Sequence, residues 1–258
     1  MLARRDVLRH VASAPIATGG LAAVLANPDL ARAAAESLET VTIETPGGKQ
    51  VSAAFGAPAI SPAPAILLVH EWWGLNDQIM AVAADLVGQG YAALSVDLYD
   101  GQVADNPDDA KAYMNAVDAA MANETLGAWI DWLRARDDLT GKVGTVGWCF
   151  GGGWSLNASL DRPVEATVIY YGNVEKGAAE LAPLAGPALG HFATQDQWIN
   201  EAMVSGFEAA MAEAGKTLTV YWYDANHAFA NPSGANYDEA DAALAWQRTM
   251  EFFGTHLA

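Results

Sequence analysis

Gly147-Trp148-Cys149-Phe150-Gly151 is the stretch whose reading decides the fold. A largely apolar run, Lys142 to Val146, leads into it and reads as a buried strand. Gly152-Gly153-Trp154-Ser155-Leu156-Asn157-Ala158 follows and reads as the opening of a helix. A side chain on such a strand-to-helix turn is pushed out of the sheet, and flanking glycines remove the Cβ clashes that the turn would create. The same turn sets the sulfur near a helix N-terminus, where unpaired N–H groups and the helix dipole favour a thiolate. Cys149 is the only cysteine in the chain, so no intramolecular disulfide can claim it. It reads as a nucleophile.

Upstream of this turn, two β-like runs, Val41 to Thr45 and Gln50 to Ala57, flank Pro46-Gly47-Gly48 and predict an antiparallel hairpin. Ala65-Ile66-Leu67-Leu68-Val69 is a continuous apolar run, as in a strand covered on both faces. Apolar spacing predicts a helix over Asn76 to Gln89, stopped by Gly90, then a strand over Tyr91 to Val96. Helices are expected over Pro107 to Ala122 and Glu124 to Arg136. Downstream, Glu165 to Tyr171, Pro187 to Phe192 and Leu218 to Tyr223 read as strands, with helices over Ile199 to Ala214 and Tyr237 to Phe253. Strands and helices alternate from residue 65 onward. The predicted architecture is an α/β-hydrolase fold, a mostly parallel sheet with helices on both faces. Function in such sheets sits on the loops after the strand C-termini.

Those loops carry a nucleophile, an acid and a histidine, in that order, which is the order of α/β-hydrolase triads. Cys149 comes first, then Asp196 after Phe192, then His227 after Tyr223. A neutral imidazole can take the thiol proton and later return it to a leaving group, while a carboxylate behind the ring holds its tautomer. His191 falls inside a predicted strand and reads as a core histidine, and His256 lies in the tail. Asp224, only three residues before His227, is poorly placed behind its ring. An N-cap for the Ile199 helix is the alternative role for Asp196. The oxyanion donors expected in this fold are the backbone N–H of Phe150 and one from the loop after Val69, for which Trp72 is the natural choice. His70-Glu71-Trp72-Trp73-Gly74 lacks the second histidine of a zinc-protease motif, and no other histidine cluster points to a metal. No metal or other cofactor is expected.

These pieces, His70-Glu71-Trp72-Trp73-Gly74, Asp97-Leu98-Tyr99, Gly147 to Gly152, Gln195-Asp196 and His227-Ala228-Phe229, together resemble the dienelactone hydrolase family over nearly all of the chain from Val41 onward. The resemblance implies hydrolysis of esters or lactones by a Cys149–His227–Asp196 triad. It also implies that Glu71 contacts the resting thiol and helps to deprotonate it. Family members that cleave dienelactone hold the substrate carboxylate with two arginines, and at those positions this chain has Gly101 and Asn231. Neither replacement can bind a carboxylate bidentately, so a neutral substrate is expected. Trp73, Tyr99, Trp148, Trp198, Phe229 and Asn231 are the candidate pocket residues. Two other functions compete with hydrolysis: a catalytically idle binding protein on the same fold, and a redox protein in which Cys149 meets oxidants.

The chain has 258 residues, 52% hydrophobic and 17% charged, with no fixed repeat and no linker-like segment, which fits one domain with a sizeable core. A net charge of −18 argues against nucleic acid and anionic membranes as partners. Oligomeric state is not legible. Residues 1–33 read as an export signal ahead of a single domain over 34–258. Arg4-Arg5 resembles the twin-arginine signature, a weakly apolar stretch spans Val11 to Ala26, and Ala31-Arg32-Ala33 is a small-x-small cleavage site. The stretch is too short and too weak to insert in a membrane. A periplasmic or secreted protein is expected; an N-terminal helix that stays attached is the alternative.

Overall fold

The computed structural model describes residues 18–258. Arg4-Arg5 and the first half of the expected apolar stretch lie outside the described residues. The elements run α1 (Thr18–Leu25), α2 (Pro28–Ala35), β1 (Glu39–Glu44), β2 (Gln50–Gly56), β3 (Ala63–Val69), α3 (Asp77–Gly88) and β4 (Ala92–Val96). They continue with α4 (Pro107–Ala116), α5 (Ala119–Arg134), β5 (Leu139–Trp148), α6 (Phe150–Asp161) and β6 (Ala166–Tyr170). The chain closes with α7 (Ala178–Leu181), β7 (Ala188–Ala193), α8 (Glu201–Glu213), β8 (Leu218–Tyr223) and α9 (Glu239–His256).

Eight strands form one sheet in the order β1-β2-β4-β3-β5-β6-β7-β8. The hairpin β1–β2 joins β4 antiparallel, and every pairing from β4 to β8 is parallel. The run Ala65 to Val69 occupies the middle and shows why it is apolar throughout. Ile66 and Leu68 pack on one face with Val82 and Leu86 of α3 and Phe253 of α9. Ala65, Leu67 and Val69 pack on the other with Leu126, Trp129 and Leu133 of α5. Period-two alternation therefore divides one strand between two cores. The second layer continues under α8, where Phe207 and Met211 meet Ile169 and Phe192.

Three helix boundaries depart from the sequence reading, all because of side-chain caps. The closing helix, expected from Tyr237, begins at Glu239, with Asp238 accepting the Asp241 N–H at 3.0 Å. The helical region after Pro107 breaks at Val117, not near residue 123, since the Asp118 side chain accepts the Met121 N–H at 2.8 Å and starts a new helix. The helix expected from Ile199 begins at Glu201, capped by Asn200.

The N-terminal segment folds onto the domain. Leu21 and Ala31 are 6% and 1% exposed, and the Gln78 amide donates to the Leu25 carbonyl at 3.3 Å. Ala31-Arg32-Ala33 lies within α2, so a peptidase can reach that bond only after the helix has come away or before it forms. Among the described residues, no helix is long and apolar enough to cross a membrane.

Candidate active site

The parallel strands all point their C-terminal ends to one edge, and the candidate residues collect there. Cys149 stands between β5 and α6 with φ 54° and ψ −117°, a strained conformation for a side chain. Its N–H is tied to the Tyr170 carbonyl at 3.0 Å. A Cβ at Gly147 would lie 2.0 Å from the Gly151 carbonyl oxygen, and one at Gly151 would lie 2.2 Å from that of Val69. The two glycines are therefore required by backbone contact.

His227 Nε2 lies 3.2 Å from Cys149 Sγ, and its Nδ1 lies 2.6 Å from Asp196 Oδ2. The other oxygen of Asp196 accepts the N–H groups of Trp198 and Ile199 at 2.8 and 3.0 Å. One carboxylate thus locks its own loop and the ring, while capping of α8 falls to Asn200. Asp224, the competing acid, is exposed and bonds Thr194 and Gln195 instead. Burial pulls the His227 pKa down, but hydrogen bonds to Asp196 and Cys149 and their charge reverse this and raise it to about 10. Burial pushes Asp196 up, yet His227 and the two backbone N–H groups leave it below the usual carboxylate range.

Glu71 is buried beside this chain of contacts. Its carboxyl accepts from the Asn231 amide and from the Tyr171 hydroxyl, the latter at 3.4 Å, and makes no hydrogen bond to Cys149. The amide of Asn231 thus gives Glu71 a neutral partner. Burial raises the Glu71 pKa to about 7, against His227, Asn231 and Tyr171, which lower it. A cavity of about 80 Å³ lies beside Glu71, Trp148, Tyr171 and Asn231 and is lined on another side by Leu21 and Leu25 of the N-terminal segment. A second, of about 330 Å³, separates Pro28 and Ala31 from Trp73 and Asn231. No lysine or arginine lines either one.

The aromatic residues expected in the pocket separate into two groups. Trp198 is 70% exposed with its ring edge-on to His227 at 5.2 Å, and Trp72 packs on Trp73 at 4.9 Å. Phe229 corrects the expectation: it is fully buried against Tyr171 and Tyr223 and supports the floor of the site from within. Trp148 and Tyr99 are also buried, at 6% and 5% exposure. His191 is a core histidine as expected, held by Tyr223 and Thr249 at 2.8 and 3.0 Å. Tyr171 was missed. It follows β6 with φ 36°, and the rule that strand C-termini carry function would have found it. Among the described residues, no three His, Cys, Asp or Glu side chains are grouped to hold a metal.

A nucleophile elbow after the fifth strand, followed by acid and histidine on later strand ends of a mostly parallel sheet, defines an α/β-hydrolase. The chain belongs to the dienelactone hydrolase family, whose profile matches residues 51–257. It is 34% identical over 229 residues to the carboxymethylenebutenolidase of Pseudomonas putida, covering 83% of this chain and 95% of that one. Carboxymethylenebutenolidase 1 of Cupriavidus pinatubonensis is 28% identical over 221 residues, covering 82% and 94%. Among solved structures, a dienelactone hydrolase-like promiscuous phosphotriesterase from metagenomic libraries superposes with a TM-score of 0.77 at 21% identity, covering 86% of this chain and 99% of that one. That likeness is one of fold. The chain is a hydrolase of this family.

Proposed function

We propose that this protein hydrolyses neutral carboxylic esters or lactones through a Cys149–His227–Asp196 triad and an acyl-enzyme. The carrying observation is the unbroken chain Sγ–Nε2, Nδ1–Oδ2 at 3.2 and 2.6 Å, with the sulfur on a strained elbow. An imidazolium at His227, favoured by Asp196, stabilises a thiolate on Cys149. The thiolate attacks the acyl carbon, and the oxyanion forms against the N–H groups of Phe150 and Trp72. Among the described residues, neither of these N–H groups has an acceptor, as donors awaiting a substrate require. His227 protonates the leaving alkoxide, then takes a proton from the water that releases the acid. For a lactone, the hydroxyl freed by ring opening stays part of the acyl group, and water releases the whole as one hydroxy acid.

The relatives' name denotes a carboxylated butenolide as substrate. The case for a neutral one here is Gly101 and Asn231, which stand where the resemblance expects the two carboxylate-binding arginines. Gly101 has φ +86°, a conformation in which arginine would be strained. Alkylation of Cys149, or Cys149→Ala, should abolish turnover across a panel of esters and lactones; a folded Cys149→Ala protein with full activity would refute the triad. Export with cleavage after Ala33 is part of the same proposal. It is tested by the N-terminal mass of protein from its native cells and by replacing Arg4 and Arg5 with lysine.

A further inference from the structure

His70 is a buried histidine beside the triad that the reaction as drawn does not use. It directly follows β3 and is 0% exposed, with both ring nitrogens engaged. Nε2 lies 3.2 Å from the backbone N of Leu98, which can only donate. Nε2 is therefore the acceptor, and the ring proton sits on Nδ1. Nδ1 lies 2.6 Å from the Glu71 carbonyl oxygen and donates to it. Tyr99 meets the ring edge-on at 4.6 Å, and Phe150 stacks nearly parallel at 5.8 Å. The Glu71 carbonyl also accepts the Gly74 N–H at 3.2 Å. Gly74 is itself fixed, since a Cβ there would lie 2.4 Å from the Gln102 carbonyl oxygen.

We infer that His70 is a positioning residue for the oxyanion hole, its Nδ1–H holding the Glu71 carbonyl so that the Trp72 N–H is aimed at the substrate's carbonyl oxygen. The peptide unit is planar and trans, so the C=O and N–H of the 71–72 link point in opposite directions. Pinning the oxygen against the His70 ring turns the N–H away from it. The same ring carries Phe150, whose N–H is the other proposed donor, on its face, and it ties both to the loop after β4 through Leu98. One neutral side chain thereby joins the three segments whose relative placement sets the distance between the two donors. Burial depresses the pKa of His70 and keeps the ring neutral. An imidazolium would set a second N–H against the Leu98 N–H. This inference rests on the triad and oxyanion hole proposed above.

Two measurements test it. In the unaltered full chain with ¹⁵N-labelled histidine, NMR should show His70 as a neutral Nδ1–H tautomer from pH 5 to 9; an Nε2–H tautomer would overturn the inference. In the second, His70→Leu removes the donor at similar volume, and His70→Asn keeps an N–H near the position of Nδ1. His70→Leu should lower kcat about 10²–10³-fold, the cost of one misplaced oxyanion donor, with KM changed less than about threefold. His70→Asn should recover activity to within about tenfold of the parent. Alkylation of Cys149 by iodoacetamide needs the thiolate and no oxyanion hole, so its rate should stay at the parental value in both variants. Normal kcat in folded His70→Leu, or alkylation falling in step with kcat, would refute the positioning role. If His70→Leu does not fold, the tautomer still decides. Turnover surviving in Cys149→Ala would instead refute the triad reading.

Discussion

Replacing Glu71 by glutamine should stabilise the protein, and increasingly so as the pH rises from 4.5 to 7. The carboxyl is 7% exposed and its pKa is raised from 4.5 to about 7, chiefly by burial. The native state therefore binds more protons than the unfolded state across this interval, and stability must fall as pH rises through it. The interval of about 2.5 pH units, at 1.36 kcal/mol each, amounts to a penalty of about 3 kcal/mol at pH 8. Glutamine carries no charge to desolvate, while its carbonyl can still accept from Asn231 and its amide can donate to Tyr171. His227, raised from 6.5 to about 10, keeps a proton that the unfolded chain loses above pH 6.5 and so adds a falling slope of its own, which both proteins share and the difference between them removes. For a domain of this size, about 3 kcal/mol corresponds to a Tm difference of roughly 6–12 °C. The assay is calorimetric Tm of both proteins at half-unit steps from pH 4 to 8.5, read as the difference between them. That difference should be small at pH 4 and level off above pH 8. A difference independent of pH would show that Glu71 titrates alike in folded and unfolded chains, and the desolvation argument would fail.

Asp196→Asn should leave the fold intact but cost about 10³–10⁴-fold in kcat, because an amide cannot hold His227 in the tautomer that accepts at Nε2; the His227 pKa, followed by NMR, should fall as its carboxylate partner is lost. Gly147→Ala places a Cβ 2.0 Å from the Gly151 carbonyl oxygen and should lower both Tm and turnover, whereas a fully active variant would mean that the elbow can relax. A carboxylated lactone should be a poorer substrate than its neutral methyl ester by about two to four decades in kcat/KM, the worth of two lost charge-assisted hydrogen bonds at ~1.5–3 kcal/mol each. Added salt should narrow that gap by screening the −18 chain, and a preference for the carboxylated compound at both low and high salt would refute it.

Much of the site was legible in the primary structure because it obeys local rules. An apolar run, a Gly-x-Cys-x-Gly turn and a helix start are all contiguous, so Cys149 could be placed on an elbow before any contact was known. Asp196 and His227 followed from the rule that chemistry sits where parallel strands end. Phe229, two residues from His227, has the chemistry of a pocket wall, yet only packing against Tyr171 and Tyr223 makes it core. The pairing of Glu71 with Asn231 and Tyr171 joins three separate loops, and no spacing encodes it. His70 owes its role to Leu98 and Phe150, which lie 28 and 80 residues away in the chain. The break at Val117 shows the limit on a smaller scale: apolar spacing runs on through it, and the Asp118 cap ends the helix. Periodicity and turn chemistry act over a few residues and are written in order along the chain. Burial, proton position and the partner of a buried carboxyl depend on groups that only the folded sheet brings together.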